Sequence, residues 1–175
     1  MFCITDDKYF RAGFESLIAS RGGLQNASLC LMDDGARYLY FLDAVHGCSG
    51  LYPVMCGPIY YFVNHIRTIL PRETSPERLI RIISDIHQGA YPVIRLTPAQ
   101  MSVIMDVASK VKPGISQARS GMNMKTWNNF KYAGLRRLGI KNTLSLVRAA
   151  DVWKRRGHKT VCGKEYSASA SEEIF

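Results

Sequence analysis

The chain has 175 residues, 47% of them hydrophobic, which fits one ordinary domain or two small ones with a packed core and argues against disorder. Its formal net charge of +9 is unevenly placed: residues 1–95 carry nine Lys/Arg and nine Asp/Glu, whereas residues 96–175 carry fourteen and five. All of the excess therefore lies in the second half, which points to a polyanionic partner, either nucleic acid or an anionic membrane surface.

The opening "MFCIT" reads as a short strand. It has no basic region and meets acid at Asp6, so a signal peptide is not expected. "DDKYFRAGFESLIAS" follows as a helix, with Phe10, Phe14, Leu17 and Ile18 on one face and Asp6 and Asp7 available as caps. Gly22-Gly23 is expected to end it. "ASLCLM" and "ARYLYFLDA" read as two strands, the second nearly all apolar as an interior strand should be. A β-α-β start implies an α/β unit whose sheet is at least partly parallel.

Residues 44–58 read as a Gly- and Pro-rich loop and "IYYFV" as a further strand. The apolar stretch "GLYPVMCGPIYYFV" is broken by Pro53, Gly57 and Pro58 and is shorter than the roughly 20 residues a membrane span needs, so no membrane partner is expected. "SPERLIRIISDIHQG" is a helix capped by Ser75, with Leu79, Ile82, Ile83 and Ile86 as its buried stripe.

Residues 1–90 are thus expected to form an α/β domain and residues 91–95 a linker, with a helical domain over 96–157 and a fraying tail over 158–175. "LTPAQ" contains a capping box, Thr97 with Gln100, and Met101, Ile104, Met105 and Ala108 continue at helical spacing. Pro113-Gly114 interrupts, and "ISQARSG" reads as a second short helix. Asn123 caps a third that runs to about Gly139. "TLSLVRAADVWKRRG" is a fourth, with Leu144, Val147, Ala150 and Trp153 on one side.

The third helix concentrates the unusual chemistry. Trp127, Leu135 and Leu138 face inward, while Lys125, Asn128, Asn129, Lys131, Tyr132 and Arg136 point largely outward, and no acid occurs from Met122 to Ile140. Cations neutralise phosphates, and Asn amides pair the edge of adenine in the major groove. Four short helices with the third basic and amide-rich fit a helix-turn-helix. Lys154-Arg155-Arg156 is expected to meet phosphate or solvent.

No chemistry competes with binding. There is no Gly-rich phosphate loop and no HExxH, and no third group orients any Cys/His pair, so the chain is expected not to be an enzyme and to need no cofactor. His46, Cys48, Cys56 and His65 match no compact zinc pattern, so no metal is expected. Five irregularly spaced cysteines suit a reduced, cytoplasmic protein.

Residues 96–153 resemble the LuxR-type helix-turn-helix found at the C-terminus of bacterial response regulators. The resemblance rests on Leu96-Thr97-Pro98, on Lys125-Thr126, on Leu135-Arg136-Arg137-Leu138-Gly139, and on Asn142 with Leu146-Val147. The Phe130-Lys131 pair is similar to the branch of the Rcs capsule and fimbrial regulators. The resemblance implies DNA contacts from Lys125, Thr126, Asn128, Asn129, Lys131, Tyr132 and Arg136, and a dimer contact along Leu144, Val147, Ala150 and Trp153. Departures occur at Ser116, Gln117 and Ser120, where the family is apolar, and at Trp127 and Gly134, where a large residue is expected to fill the space left by a missing one.

The first half is similar, more weakly, to a response-regulator receiver. Asp6 and Asp7 resemble its acidic pair and Asp43 its phospho-acceptor, but the segment from Asp43 to Ser75 is short and contains no Lys. The resemblance implies a shortened pseudo-receiver whose acidic site is degenerate. The combined expectation is a cytoplasmic bacterial transcription regulator: a shortened receiver-like α/β domain followed by an all-α four-helix LuxR-type domain. It would bind double-stranded DNA independently of phosphorylation as a dimer, either a homodimer or a heterodimer with a related response regulator. The alternatives are an auxiliary regulator paired with a full response regulator, or a protein that inhibits one without touching DNA.

Overall fold

The computed structural model describes residues 1–21, 29–43 and 52–157. Strand β1 (Phe2–Ile4) leads into helix α1 (Lys8–Ala19), which starts where the Asp7 carboxylate accepts the N–H groups of Tyr9 and Phe10. Strands β2 (Leu29–Asp33) and β3 (Tyr38–Asp43) form a hairpin. Its turn is fixed by Asp34, whose Oδ1 accepts from the N–H groups of Ala36, Arg37 and Tyr38, and by Gly35 at φ 71°. Glycine takes that backbone conformation without the steric cost a Cβ would bring.

Helix α2 (Tyr52–Asn64) and strand β4 (Ile66–Pro71) follow. "IYYFV", expected as a strand, is helical. Gly57 breaks the backbone at φ 73°, ψ 159°, and Pro58 starts a new turn with its φ already set for a helix. From there Ile59, Phe62 and Val63 recur at helical spacing, all buried. The aromatic and β-branched content had suggested extended chain, but burial on one helical side decides the conformation. Strand β4 was not anticipated.

The four strands lie in sequence order, β1 parallel to β2, then β2, β3 and β4 mutually antiparallel. An α/β unit followed by helices is therefore present. Its topology is not the doubly wound parallel order 2-1-3-4-5 of a receiver. The two-strand hairpin replaces the crossover that a parallel β2–β3 pair would require.

Helix α3 (Pro76–His87) closes the first half, capped by Ser75 and buried along Leu79, Ile82, Ile83 and Ile86. The second half holds α4 (Pro98–Ala108), with its Thr97/Gln100 capping box, and α5 (Pro113–Ser120). Helix α6 (Met124–Leu138) is capped by Asn123, and α7 (Thr143–Val152) continues as a π turn over Trp153–Gly157.

Period-two alternation in the strands makes two cores. Leu29, Leu31, Leu39 and Phe41 face α1 and α3 together with Phe14, Leu70 and Ile83. Cys30, Met32, Tyr38, Tyr40 and Leu42 face the other way, in one cluster with α2 and with the helices after residue 96. Ile94 of the expected linker also packs on this core, and its N–H donates to the Ile66 carbonyl at 2.8 Å. Among the described residues the sheet has no other cover on that face, so both halves bury apolar surface against each other. Burial pushes the Cys3 thiol up to about 12 and the Cys30 thiol higher still, which keeps both protonated.

The expected helix end at Gly22-Gly23, residues 44–51 of the expected loop with His46 and Cys48, and the tail over 158–175 lie outside the described residues.

Candidate nucleic-acid interface

Helix α6 is held by what it buries. Trp127, Gly134, Leu135 and Leu138 lie on its inner side, and Gly139 at φ 78° ends it in a left-handed cap. Gly134 has a specific reason to be glycine: a Cβ there would stand 2.6 Å from Cγ1 of Ile104 on α4. Ile104, not Trp127, therefore fills the space left by the missing side chain, which corrects the expected volume exchange.

Trp127 belongs to a different arrangement. Its indole N–H donates to the Ser116 hydroxyl at 2.8 Å, and that hydroxyl donates to the carboxylate of Asp106. Arg119 also pairs with Asp106. A buried indole N–H needs an acceptor, and Ser116, itself buried, supplies it. Ser116 is the only residue of α5 that is buried. Of the polar residues unexpected in α5, Ser116 attaches the helix to α4 and α6, whereas the Ser120 hydroxyl donates to the Gln117 carbonyl of α5 itself. The sequence offered the signal as a Trp and a Ser departing together.

The outer side of α6 carries Lys125, Asn129, Tyr132 and Arg136, all exposed. Steps of four, three and four residues set these side chains in one row, about 16 Å long from end to end. Asn128 and Lys131 sit to one side, half-buried, with the Lys131 ammonium donating to Asn128 Oδ1 at 2.8 Å. The same ammonium lies over the Trp127 ring at 4.9 Å and the Tyr132 ring at 4.5 Å. Thr126 is half-buried, and its N–H donates to the Asn123 cap. Four of the seven expected contact residues are thus exposed along one side, Thr126 lies off that row, and Asn128 and Lys131 are engaged with each other.

The electrostatics extend beyond α6. From Val107 to Ala150 the sequence has no acid at all, and it has Lys110, Lys112, Arg119, Lys125, Lys131, Arg136, Arg137, Lys141 and Arg148. Lys110 pairs with Asp151 and Arg119 with Asp106, the acids flanking this stretch. Among the described residues the other seven cations form no ion pair. A depression of about 350 Å³ at the end of α6 has Arg136 and Lys141 on its rim. Unpaired cations on a solvated surface raise the local concentration of a polyanion.

The other expected residues go elsewhere. On α7 the buried residues are Ser145, Leu146, Ala149, Ala150 and Val152, and Trp153 follows them. Trp153 is fully buried, stacked on Tyr61 at 5.6 Å with its indole N–H donating to the Pro58 carbonyl at 2.8 Å. Ala150 and Trp153 therefore belong to the core, covered by α2 of the same chain. The expected dimer contact retains only Leu144, exposed, and Val147, half-buried.

The structure does not bring Asp43 to Asp6 and Asp7. Strand β3 runs antiparallel to β2, which pairs Asp43 with Leu29 and leaves Asp33 at the opposite end of the hairpin. Four residues of strand separate the two ends, about 13 Å. Asp43 bonds Arg67 at 2.9 Å. Asp7 instead joins Asp33 through Arg72, whose guanidinium reaches Asp7 at 2.7 Å and Asp33 at 3.1 Å. Thr5 donates to the other Asp33 oxygen at 2.9 Å. The N–H of Phe10, then Arg72, hold the Asp7 carboxyl below its ordinary value. Asp6 pairs with Arg155 and Arg156 of the π turn, so these two cations contact the first half. Among the described residues no group of three or more His, Cys, Asp or Glu is placed to hold a metal ion, and no helix is long and apolar enough to cross a membrane.

No protein-family model, curated protein or solved structure matches the chain.

Proposed function

We propose that the protein is a sequence-specific DNA-binding transcriptional regulator in which α6 enters the major groove. The observation that carries this reading is the exposed row Lys125, Asn129, Tyr132 and Arg136, set in a 44-residue stretch without acid. Cations at both ends of the row neutralise phosphates and fix orientation, while the amide and phenol between them meet base edges. The resemblance of residues 96–153 to the LuxR-type helix-turn-helix supports the same assignment of α5 as the helix on the backbone and α6 as the reading helix.

Control in this reading does not run through phosphorylation of Asp43. Its pairing with Arg67 and its distance from Asp7 support that. The reading also treats the first half as structural support for the second, because the core is shared.

The test is selection of bound sequences from a pool of random duplexes by the full chain. The proposal expects enrichment of a short motif, lost in a Lys125→Ala, Arg136→Ala double variant that melts normally. A pool that shows no enrichment at about 50 mM salt, where phosphate contacts are strongest, overturns it.

A further inference from the structure

The two adjacent amides of α6 are not equivalent. Asn128 is half-buried, and its Oδ1 accepts a hydrogen bond from Lys131 at 2.8 Å. The Lys131 ammonium is favoured in that place because it also rests on the rings of Trp127 and Tyr132, at 4.9 and 4.5 Å. Trp127 is itself fixed through Ser116 and Asp106. The chain of contacts from Asp106 to Asn128 thus passes through side chains that each hold the next.

Asn129 makes no side-chain hydrogen bond among the described residues, and it is exposed at the middle of the row. It stands one turn from Lys125 and nearly two turns from Arg136, so cations flank it along the helix axis on both sides. A free carboxamide has one acceptor and two donors, the complement of N6 and N7 on adenine. An amide whose oxygen already accepts from an ammonium has one of its two lone pairs committed and its plane set by that bond, so it is not free to turn both edges to a base.

Building on the DNA-binding reading, we propose that Asn129 alone of the two amides determines base specificity, reading one adenine. Asn128 is a positioning residue that aims Lys131 at a phosphate. Lys131 has three donors and spends one on Asn128, so the others remain for the backbone of the duplex. One amide therefore sets which sequence is bound, and its neighbour sets how tightly any sequence is bound.

The experiment uses the full chain and a duplex carrying the motif enriched by selection, with every single-base-pair change in it. For the wild type, one A·T pair should discriminate roughly 5- to 150-fold against the other three, the range of a good bidentate contact. Asn129→Ala should flatten that position alone. Asn128→Ala should weaken all duplexes by a similar factor and leave the ranking of bases unchanged, and Lys131→Ala should do the same. Asn128→Asp keeps an acceptor for Lys131, so it should also keep the ranking. A base preference that changes in Asn128→Ala, or no position at which preference for an A·T pair is lost in Asn129→Ala, overturns the division of roles while leaving DNA binding intact. A wild type that binds no duplex removes the division of roles together with the reading it rests on.

Discussion

The arginines of the first half and the cations of α6 are the same chemistry put to opposite uses. Arg67 and Arg72 are partly buried against carboxylates, Arg67 on Asp43 and Arg72 between Asp7 and Asp33. Their charge is consumed in holding strand ends together. Lys125, Arg136 and Arg137 are exposed and meet no carboxylate among the described residues. Counting charges finds the asymmetry between halves, but the pairing decides what each charge is for. A paired cation stabilises its neighbours, and an unpaired row keeps its field for a partner.

The comparison breaks most sharply where the two halves meet. Trp153→Ala removes a fully buried indole from between them and should cost about 3–5 kcal/mol, enough to unfold a marginal domain. Urea melts should show both halves lost in one transition, independent of protein concentration. A folded Trp153→Ala protein whose oligomeric state has changed would return the residue to an interface. Expression of residues 96–157 alone sharpens the same point. Without α2 over Trp153 that fragment should be unstable, and a cooperative, native-like melt of the fragment would show the halves to be independent.

Next in size is the seat of α6. Gly134→Ala places a methyl 2.6 Å from Ile104 and should destabilise by about 1–3 kcal/mol. The added change Ile104→Val should recover part of that loss in a double-mutant cycle. Ser116→Ala leaves the Trp127 N–H without its acceptor and should cost about 1–3 kcal/mol in thermal melts. Its effect should be larger than that of Ser120→Ala, whose hydroxyl is exposed. Equal effects would detach α5 from the role assigned to Ser116.

Smallest is the acid response of the first half. Asp7 is held below its ordinary value when folded, so its stabilising contribution is present above about pH 4 and is lost as pH falls through the lowered folded value. Asp7→Asn should flatten the fall of melting temperature in that acid range and leave the neutral range nearly parallel to wild type. An unchanged acid limb would mean that the Asp7–Arg72 pair adds nothing to folding.

Much of this was legible in sequence where the signal is local. The caps at Ser75, Thr97 and Asn123, the stripe on α3, and the inward set Trp127, Leu135 and Leu138 follow from spacing and cap chemistry. What failed was nonlocal. Asp34-Gly35 marks a tight turn, yet its meaning, an antiparallel β3 that carries Asp43 to the far end of the sheet, depends on which strands pair. Likewise the stripe on α7 was read as Leu144, Val147, Ala150 and Trp153, whereas the buried side centres on Leu146, Ala149, Ala150 and Trp153, because α2 supplies the missing cover. The outer row of α6 was visible as residue types. That Asn128 is engaged by Lys131 and Asn129 is not required the side chains in place.

The central claim is that the unpaired cations of the second half serve a phosphate backbone. It is tested most directly by measuring duplex affinity of the full chain from about 50 to 200 mM salt, for wild type, Lys125→Ala and Arg67→Ala. If six phosphates are engaged, affinity should fall roughly a thousandfold over that range, linearly on logarithmic axes. Lys125→Ala should lower the slope by about one, and Arg67→Ala, if folded, should leave it unchanged because that charge is already spent on Asp43. Affinity that is flat in salt, or a slope that responds to Arg67 and not to Lys125, would contradict the account.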